Sequence, residues 1–189
     1  HIHYGSYRDL AEISSQTAAV FIETVQGEAG VRVACREYFR ALRQRCDETG
    51  TLLVLDEIQA GFGRTGTFWA FEQFGIVPDV LLCAKGMGGG MPIGAFIASR
   101  EIMSVLTHNP ILGHLTTFGG HPVSCAAALA TLQIIQDENL LAGVAAKAQL
   151  FRDLLAGHPS VRQIRNQGLM MAVEFESFEV LKLVIDRAI

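Results

Sequence analysis

The sequence predicts an α/β protein with a mainly parallel sheet flanked by helices. Two apolar runs, Leu52–Leu55 and Val80–Ala84, have the continuous hydrophobicity of strands that are buried on both faces. The segment Arg36–Glu48 carries apolar residues near the helical period and lies just before the first run. Helix and strand patterns that alternate in this way are typical of βαβ units.

Composition narrows the classes of protein that the chain can belong to. Half of its 189 residues are hydrophobic and 18% are charged, as in a globular protein with a buried core. The net charge of −4 gives no electrostatic reason to expect nucleic acid or an anionic membrane surface as a partner. The four cysteines form no Cys-x-x-Cys pair and lack zinc spacing, so we expect no metal site. Scattered thiols in apolar contexts favour a reducing, cytoplasmic location.

Neither the start of the chain nor its apolar runs have the pattern of a targeting segment. No apolar run approaches the roughly 20 residues that span a bilayer. The start, His1–Tyr4, lacks the basic and apolar regions of a signal peptide, and it also lacks an initiator methionine. We interpret the sequence as an internal part of a longer chain.

The elements before the second apolar run follow in a regular order. The arginines Arg40, Arg43 and Arg45 of the helix Arg36–Glu48 are interpreted as its solvated face, and Gly50 is expected to end this helix. The other predicted elements here are a short helix Tyr7–Ile13, a strand Thr17–Ile22, a strand Leu52–Ile58 and a short helix Phe68–Phe74.

Beyond the second apolar run the pattern becomes more helical. Gly157-His158-Pro159 breaks the chain and predicts a boundary between a large domain, 1–157, and the start of a small α+β domain, 158–189. The predicted elements are an antiparallel or edge strand Gly94–Ser99, helices Glu101–Leu106, Val123–Asp137 and Asn139–Leu155, strands Val161–Arg165 and Leu169–Phe175, and a helix Phe178–Ile189. Val123–Asp137 is apolar on most faces, so we expect it to be buried against the sheet or a partner.

Charged side chains follow both apolar runs. Asp56 comes directly after the first strand, and Lys85 comes directly after the second. Because ligands bind beyond the carboxyl ends of parallel strands, we expect the acid and the amine to share one crevice. A lysine amine can bond to an aldehyde, and pyridoxal phosphate is an aldehyde cofactor that also uses a carboxylate at its ring nitrogen. The alternative is that Asp56 caps a helix and Lys85 is a solvated charge.

The segment around these two residues resembles the cofactor-binding core of the class III (ω-amino-acid) aminotransferases, which include acetylornithine, ornithine and 4-aminobutyrate aminotransferases. The matching marks are Asp56-Glu57-Ile58-Gln59, Gly61–Gly66, Pro78-Asp79 and Lys85-Gly86. The resemblance implies the fold type I architecture of pyridoxal-phosphate enzymes. It also implies that Lys85 forms the Schiff base and that Asp56 pairs with the ring nitrogen, while Ile58 packs on the ring and Gln59 approaches the ring hydroxyl.

A second family segment follows the predicted strand Thr17–Ile22. Taken alone, Glu23–Glu28 reads as an ordinary turn with solvated acids. It is similar to the family's Glu-Pro-(Ile/Val)-Gln-Gly-Glu, with Thr24 in place of proline. The resemblance implies that Glu28 lies at the substrate pocket. Because threonine does not fix φ as proline does, Thr24 is expected to change local rigidity and to leave the chemistry untouched.

The segment Thr116–Gly120 combines hydroxyls and glycine amides just before a helix, a pattern suited to phosphate. The simpler alternative is that Thr116 or Thr117 caps that helix. The resemblance implies that Thr117 reaches the cofactor phosphate of a partner subunit, and hence that the enzyme is a homodimer. His121 stands where the family usually has asparagine.

The resemblance therefore implies an aminotransferase that moves an amino group from an amino acid or ω-amine donor to a 2-oxo acid. An aminomutase or decarboxylase could use Asp56, Gln59 and Lys85 equally. A nucleotide-binding module is excluded by order, because phosphate loops place their glycines before the lysine. A structural or dimerising core without cofactor stays open.

Overall fold

The computed structural model describes residues 1–108, 111 and 113–188. A four-stranded sheet lies at the centre of the fold, and its strands follow one another in chain order. The strands are β1 Ala19–Glu23, β2 Leu52–Asp56, β3 Val80–Cys83 and β4 Ala95–Ala98. β1, β2 and β3 pair in parallel, whereas β4 is antiparallel to β3 at the edge. The predicted mainly parallel sheet and its antiparallel edge strand are confirmed.

The remaining described elements are helices and one hairpin. The α-helices are α1 Arg36–Thr49, α2 Arg100–Ser104, α3 Pro122–Asp137, α4 Val144–Leu155 and α5 Phe178–Ala188. The 3₁₀ helices are Arg8–Glu12, Ala70–Phe74, Lys85–Gly88, Val105–Thr107 and Leu140–Gly143. The hairpin consists of β5 Val161–Gln167 and β6 Met170–Phe175.

The predicted helix Asn139–Leu155 is not continuous. Asn139 has a left-handed backbone with a φ of 47°, which α-helical residues do not adopt. The chain then forms one 3₁₀ helix, Leu140–Gly143, before α4 begins at Val144. The other predicted helices and strands are present with shifts of a few residues at their ends, and Ile189 lies outside the described residues.

The main core lies between α1 and the sheet. Tyr38, Phe39 and Leu42 on α1 are fully buried, and Leu53 and Leu55 on β2 are fully buried against the same cluster. These α1 residues fall on one face because helical side chains three and four positions apart are neighbours. α1 ends at Gly50, whose φ of 69° is the left-handed conformation that glycine adopts easily. The predicted helix end is confirmed.

Asp79, the residue directly before β3, links α1 to β2. Its Oδ2 accepts hydrogen bonds from Leu53 N and Arg43 Nη1, both at 2.7 Å. The Arg43 side chain is only 15% exposed, and it pairs with Asp79 and Asp47. The prediction that Arg43 belongs to a solvated helix face is therefore wrong, because Asp79 binds its guanidinium between the helix and the sheet.

The β5–β6 hairpin packs on the loops that follow β1 and β2. Leu169 N donates to Arg64 O at 2.9 Å, and Arg165 Nε donates to Gly30 O at 2.7 Å. At the hairpin turn, Gly168 has a φ of 57°, and a Cβ there would lie 2.5 Å from the carbonyl carbon of Thr65. A larger residue would push the hairpin off this loop. The domain boundary at 157/158 stays a prediction.

Helix α3 packs against the 3₁₀ helix Lys85–Gly88 and leaves most of its surface open. Only Ser124 and Ile135 of α3 are buried, whereas Val123, Leu129 and Ile134 are 48–57% exposed. Burial of α3 against the sheet, one of the two alternatives that its composition predicted, is therefore wrong. Within the described chain, no helix is long and apolar enough to cross a membrane.

Candidate active site

Glu57 connects the carboxyl ends of the three parallel strands. Its side chain is fully buried directly after β2, and its backbone N donates to Leu82 O on β3 at 3.0 Å. Its carboxylate accepts from Thr24 Oγ1, which follows β1, at 3.1 Å. It also accepts from Ala70 N and Phe71 N, each at 2.7 Å, at the start of a 3₁₀ helix. One side chain thus fixes the edge of the sheet where ligands of α/β proteins bind.

The burial of Glu57 changes its protonation. Loss of water around the carboxylate raises its pKa, because burial disfavours the charged form. The hydrogen bonds from Ala70, Phe71 and Thr24 act in the opposite direction, and the net shift is still upward. Glu57 therefore binds a proton more tightly in the folded protein than in the unfolded chain.

Lys85 lies two residues beyond β3 and has an unusual backbone. Its φ of 39° is in the left-handed region, which a non-glycine residue adopts at a cost of about 1–3 kcal/mol. The exposed side chain lines a cavity of about 420 Å³ together with Glu28, Gln59 and Arg64. Gln59 Nε2 donates to Glu28 Oε1 at 3.1 Å, so an amide and a carboxylate from two different loops face the lysine's cavity as a pair.

Asp56 is the last residue of β2, in register with Glu23 on β1 and Leu82 on β3. Its Oδ1 accepts from Ile58 N at 2.9 Å, and Oδ2 forms no hydrogen bond with the described residues. Asp56 lines a second cavity, of about 270 Å³, with Glu23 and Gln26. Asp56 and Lys85 therefore lie at the same edge of the sheet, as expected, but they line two different cavities.

The other two cofactor residues that the resemblance implies, Ile58 and Thr117, line neither of these two cavities. Ile58 is half-buried between Asp56 and Gln59, and its described contact with the site is the backbone bond to Asp56. Thr117 is exposed in the irregular segment before α3 and shares no cavity with Lys85 or Asp56 in the described chain. The N-cap of α3 is His121, so neither Thr116 nor Thr117 caps this helix.

Several residues that line the lysine's cavity did not emerge from the sequence as site residues. Phe62 and Arg64 come from the glycine-rich loop after β2, and Leu169 and Met170 come from the hairpin. The spacing Gly61–Gly66 could have indicated the first pair, since glycines permit sharp turns at a strand end. Nothing in the local pattern indicated that the hairpin would reach this cavity. In the described part of the chain, no cluster of three or more His, Cys, Asp or Glu could hold a metal ion.

Comparison with known proteins agrees with this geometry. The sequence profile of the family described as Aminotransferase class-III matches residues 5–188. The chain belongs to the class III aminotransferase family.

Solved structures are similar to this family member. It is 36% identical to the ornithine aminotransferase of Toxoplasma gondii, over 93% of this chain and 42% of that one, with a TM-score of 0.84. It is 33% identical to ornithine δ-aminotransferase of Plasmodium falciparum, over 93% and 46%, with a TM-score of 0.82. It is 40% identical to an (S)-enantioselective ω-transaminase of Thermomicrobium roseum, over 83% and 36%, with a TM-score of 0.75. The chain spans less than half the length of these structures, and the fold type I architecture is confirmed.

Class III aminotransferases depend on pyridoxal phosphate, and the residues present fit that cofactor. Lys85 offers an exposed side chain that lines a cavity. Asp56 offers a carboxylate oxygen that no described residue occupies. Asp56 ends β2 and Lys85 lies two residues beyond β3, so both are at the edge of the sheet where such ligands bind, in separate cavities.

The raised pKa of Glu57 predicts how stability depends on pH. Because the folded state binds this proton more tightly, protonation of Glu57 stabilises the fold, and this contribution is lost as pH rises through the folded pKa. Glutamine cannot titrate. The melting temperature of the wild type relative to Glu57→Gln should therefore fall as pH rises from below the ordinary value of 4.5 towards neutrality. A difference that stays constant across this range would contradict the assignment.

Proposed function

We propose that this chain supplies the catalytic lysine of a pyridoxal-phosphate-dependent aminotransferase. The reaction moves an amino group from an amino acid or ω-amine donor to a 2-oxo acid. The observation that carries the proposal is Lys85, held at a strand end in a left-handed conformation and lining one cavity with Glu28 and Gln59. Membership of the class III family supports the same activity.

Lys85 performs the covalent and proton-transfer work. When bound, pyridoxal phosphate supplies an aldehyde carbon for a lysine amine and a ring that withdraws electrons from the amine-bearing carbon of the substrate. Lys85 Nζ would hold the cofactor covalently through this aldehyde carbon. When it is not bonded to the cofactor, Nζ would act in the cavity that it lines with Glu28 and Gln59 as the general base and acid for the proton of the donor's amine-bearing carbon.

Asp56 and the residues around it bind and orient the cofactor. Asp56 Oδ2 would keep the ring nitrogen protonated, and the bond from Ile58 N to Oδ1 keeps the carboxylate in place. Ile58 and Gln59 would hold the ring beside Asp56, as the family resemblance implies. The bond from Gln59 to Glu28 fixes the Glu28 carboxylate at the substrate end of the cavity.

The similar solved structures favour one class of amino donor. Ornithine aminotransferases and an ω-transaminase are among the similar structures, which favours a donor with a terminal or ω-amine. An aminomutase or decarboxylase could use Asp56, Gln59 and Lys85 in the same way. A half-reaction assay separates these reactions, because only an aminotransferase passes the amino group on to 2-oxoglutarate.

We also propose a homodimer in the cytoplasm. The exposed apolar side chains Val123, Leu129 and Ile134 of α3 offer a surface for a second copy of the chain. Thr117 lies on the exposed segment just before this helix, which favours a role for Thr117 in the partner's cofactor site. The four cysteines are all free in the structure, as expected in a reducing compartment.

Covalent labelling tests the role of Lys85. Borohydride reduction of the cofactor-loaded enzyme should fix the cofactor to a lysine, and peptide mapping by mass spectrometry should find it on Lys85. Lys147 and Lys182, the other lysines of this chain, serve as internal controls. A label on either of them in place of Lys85 would disprove the assignment.

The charge of Asp56 can be removed without changing its shape. Asp56→Asn should still bind cofactor, because the lysine bond remains, but its transamination rate should fall about 100-fold or more as the ring nitrogen loses its proton. Single-turnover absorbance measurements report both quantities. Near-normal turnover would mean that another group protonates the ring.

Complementation between subunits tests the dimer. Thr117→Ala and Lys85→Ala should each be poorly active, and their co-refolded mixture should regain part of the wild-type activity, because one composite site in each heterodimer is intact. Native mass spectrometry verifies that heterodimers have formed. If they form without any recovery of activity, Thr117 does not serve the partner's site.

A further inference from the structure

We propose that Thr24 and Glu57 are positioning residues of the cofactor site. The hydrogen bond between them sets the loop after β1 relative to the end of β2, and thereby places Asp56 and the Glu28–Gln59 pair. This inference rests on the proposed function, because it concerns the binding of pyridoxal phosphate. Neither residue lines the two cavities, and both side chains are fully buried.

Two hydrogen bonds join the loop after β1 to the segment after β2. The buried link runs from Thr24 Oγ1 to Glu57 Oε1 at 3.1 Å. The other link, from Gln59 Nε2 to Glu28 Oε1, also at 3.1 Å, lies in the cavity of Lys85. An exposed hydrogen bond competes with water and fixes geometry weakly, whereas a buried one has no such competitor. The buried link therefore sets the spacing at which the exposed pair can form.

Thr24 lies where a displacement would reach two residues of the candidate site. The preceding residue, Glu23, is in register with Asp56 across the β1–β2 pair, so a shift of Thr24 moves the backbone beside the Asp56 carboxylate. Glu23 Oε2 also accepts from Gly27 N at 3.1 Å, in the turn that leads to Glu28. A displacement at Thr24 would thus reach both Asp56 and Glu28.

Glu57 offers a fixed acceptor for the threonine. Its oxygens are already held by Ala70 N and Phe71 N, which belong to the first turn of a 3₁₀ helix and have few other partners. Without the hydroxyl of Thr24, the carboxylate keeps these two bonds and stays with the 3₁₀ helix. The loop after β1 loses its buried side-chain bond to the end of β2, and Tyr4 OH, which donates to Thr24 O at 2.9 Å, still holds it from the other side.

This arrangement also explains the threonine at this position. The family pattern places a proline there, which fixes φ but has no hydroxyl to donate. In this chain the hydrogen bond to Glu57 replaces the fixed φ as the source of local rigidity. The expectation that Thr24 leaves the chemistry untouched therefore changes: Thr24 acts on the site through Glu57.

The test compares cofactor affinity in matched variants of the full enzyme. Thr24→Val removes the hydroxyl at almost constant shape, and Thr24→Ser retains it. The control is Thr51→Val, because Thr51 is also buried and donates to Thr17 O at 3.0 Å, but at the opposite end of β2. Equilibrium titration of each apoenzyme with pyridoxal phosphate, followed by absorbance, gives the Kd, and thermal melts give the stability.

Thr24→Val should weaken pyridoxal phosphate binding about tenfold, the effect of one lost buried hydrogen bond, and Thr24→Ser should stay within about twofold of the wild type. Thr51→Val should melt at a lower temperature but keep the wild-type Kd. A wild-type Kd in Thr24→Val, or an equal loss of affinity in Thr51→Val, would overturn the proposal. If Thr24→Val does not fold, Thr24→Ala takes its place with the same criteria. Failure of the wild type itself to bind would refute the proposed function instead.

Discussion

One buried residue, Glu57, links the carboxyl ends of three strands that parallel pairing brings to one edge of the sheet. Glu57 receives hydrogen bonds from the loop after β1 and from a 3₁₀ helix, and its own backbone reaches β3. Burial of a carboxylate without hydrogen bonds costs free energy, but this one accepts hydrogen bonds from three donors, which fix its position. Of the side chains that the proposed chemistry needs, Asp56 is the last residue of β2, and Lys85 lies two residues beyond β3. The loops that carry the candidate site are thus joined at one buried side chain.

Much of the fold could be predicted from the sequence because its signals are local. Continuous apolar runs such as Leu52–Leu55 identify buried strands, and the apolar face of α1 identifies a helix that packs on them. Contacts between distant segments carry no such signal. Nothing in the pattern showed that Arg43 would pair with Asp79, or that the hairpin would bring Leu169 and Met170 into the cavity of Lys85. The break at Asn139 was also missed, because no glycine or proline stands there to mark it.

The sequence predicts which residues lie at the sheet edge, whereas the detail of the candidate site depends on the coordinates. Asp56 and Lys85 follow two successive predicted strands, which places them at the same edge of the sheet. The resemblance to class III aminotransferases assigns their roles. The left-handed backbone of Lys85 and the separation of the two cavities required coordinates. From the sequence, Thr24 differs from the family's proline only in local rigidity. The acceptor of its hydroxyl, Glu57, is 33 residues away along the chain, so this bond has no local sequence signal.

Amide hydrogen exchange of the cofactor-loaded enzyme tests most directly whether Glu57 organises this edge of the sheet. The N–H groups of Ala70 and Phe71 have the Glu57 carboxylate as their acceptor, so their exchange reports on that anchor. If the account is right, both amides exchange within about tenfold of Leu55 in the core strand, since they open only when the sheet edge opens. Exchange as fast as that of the exposed loop residues Gly89 and Gly90 would contradict it.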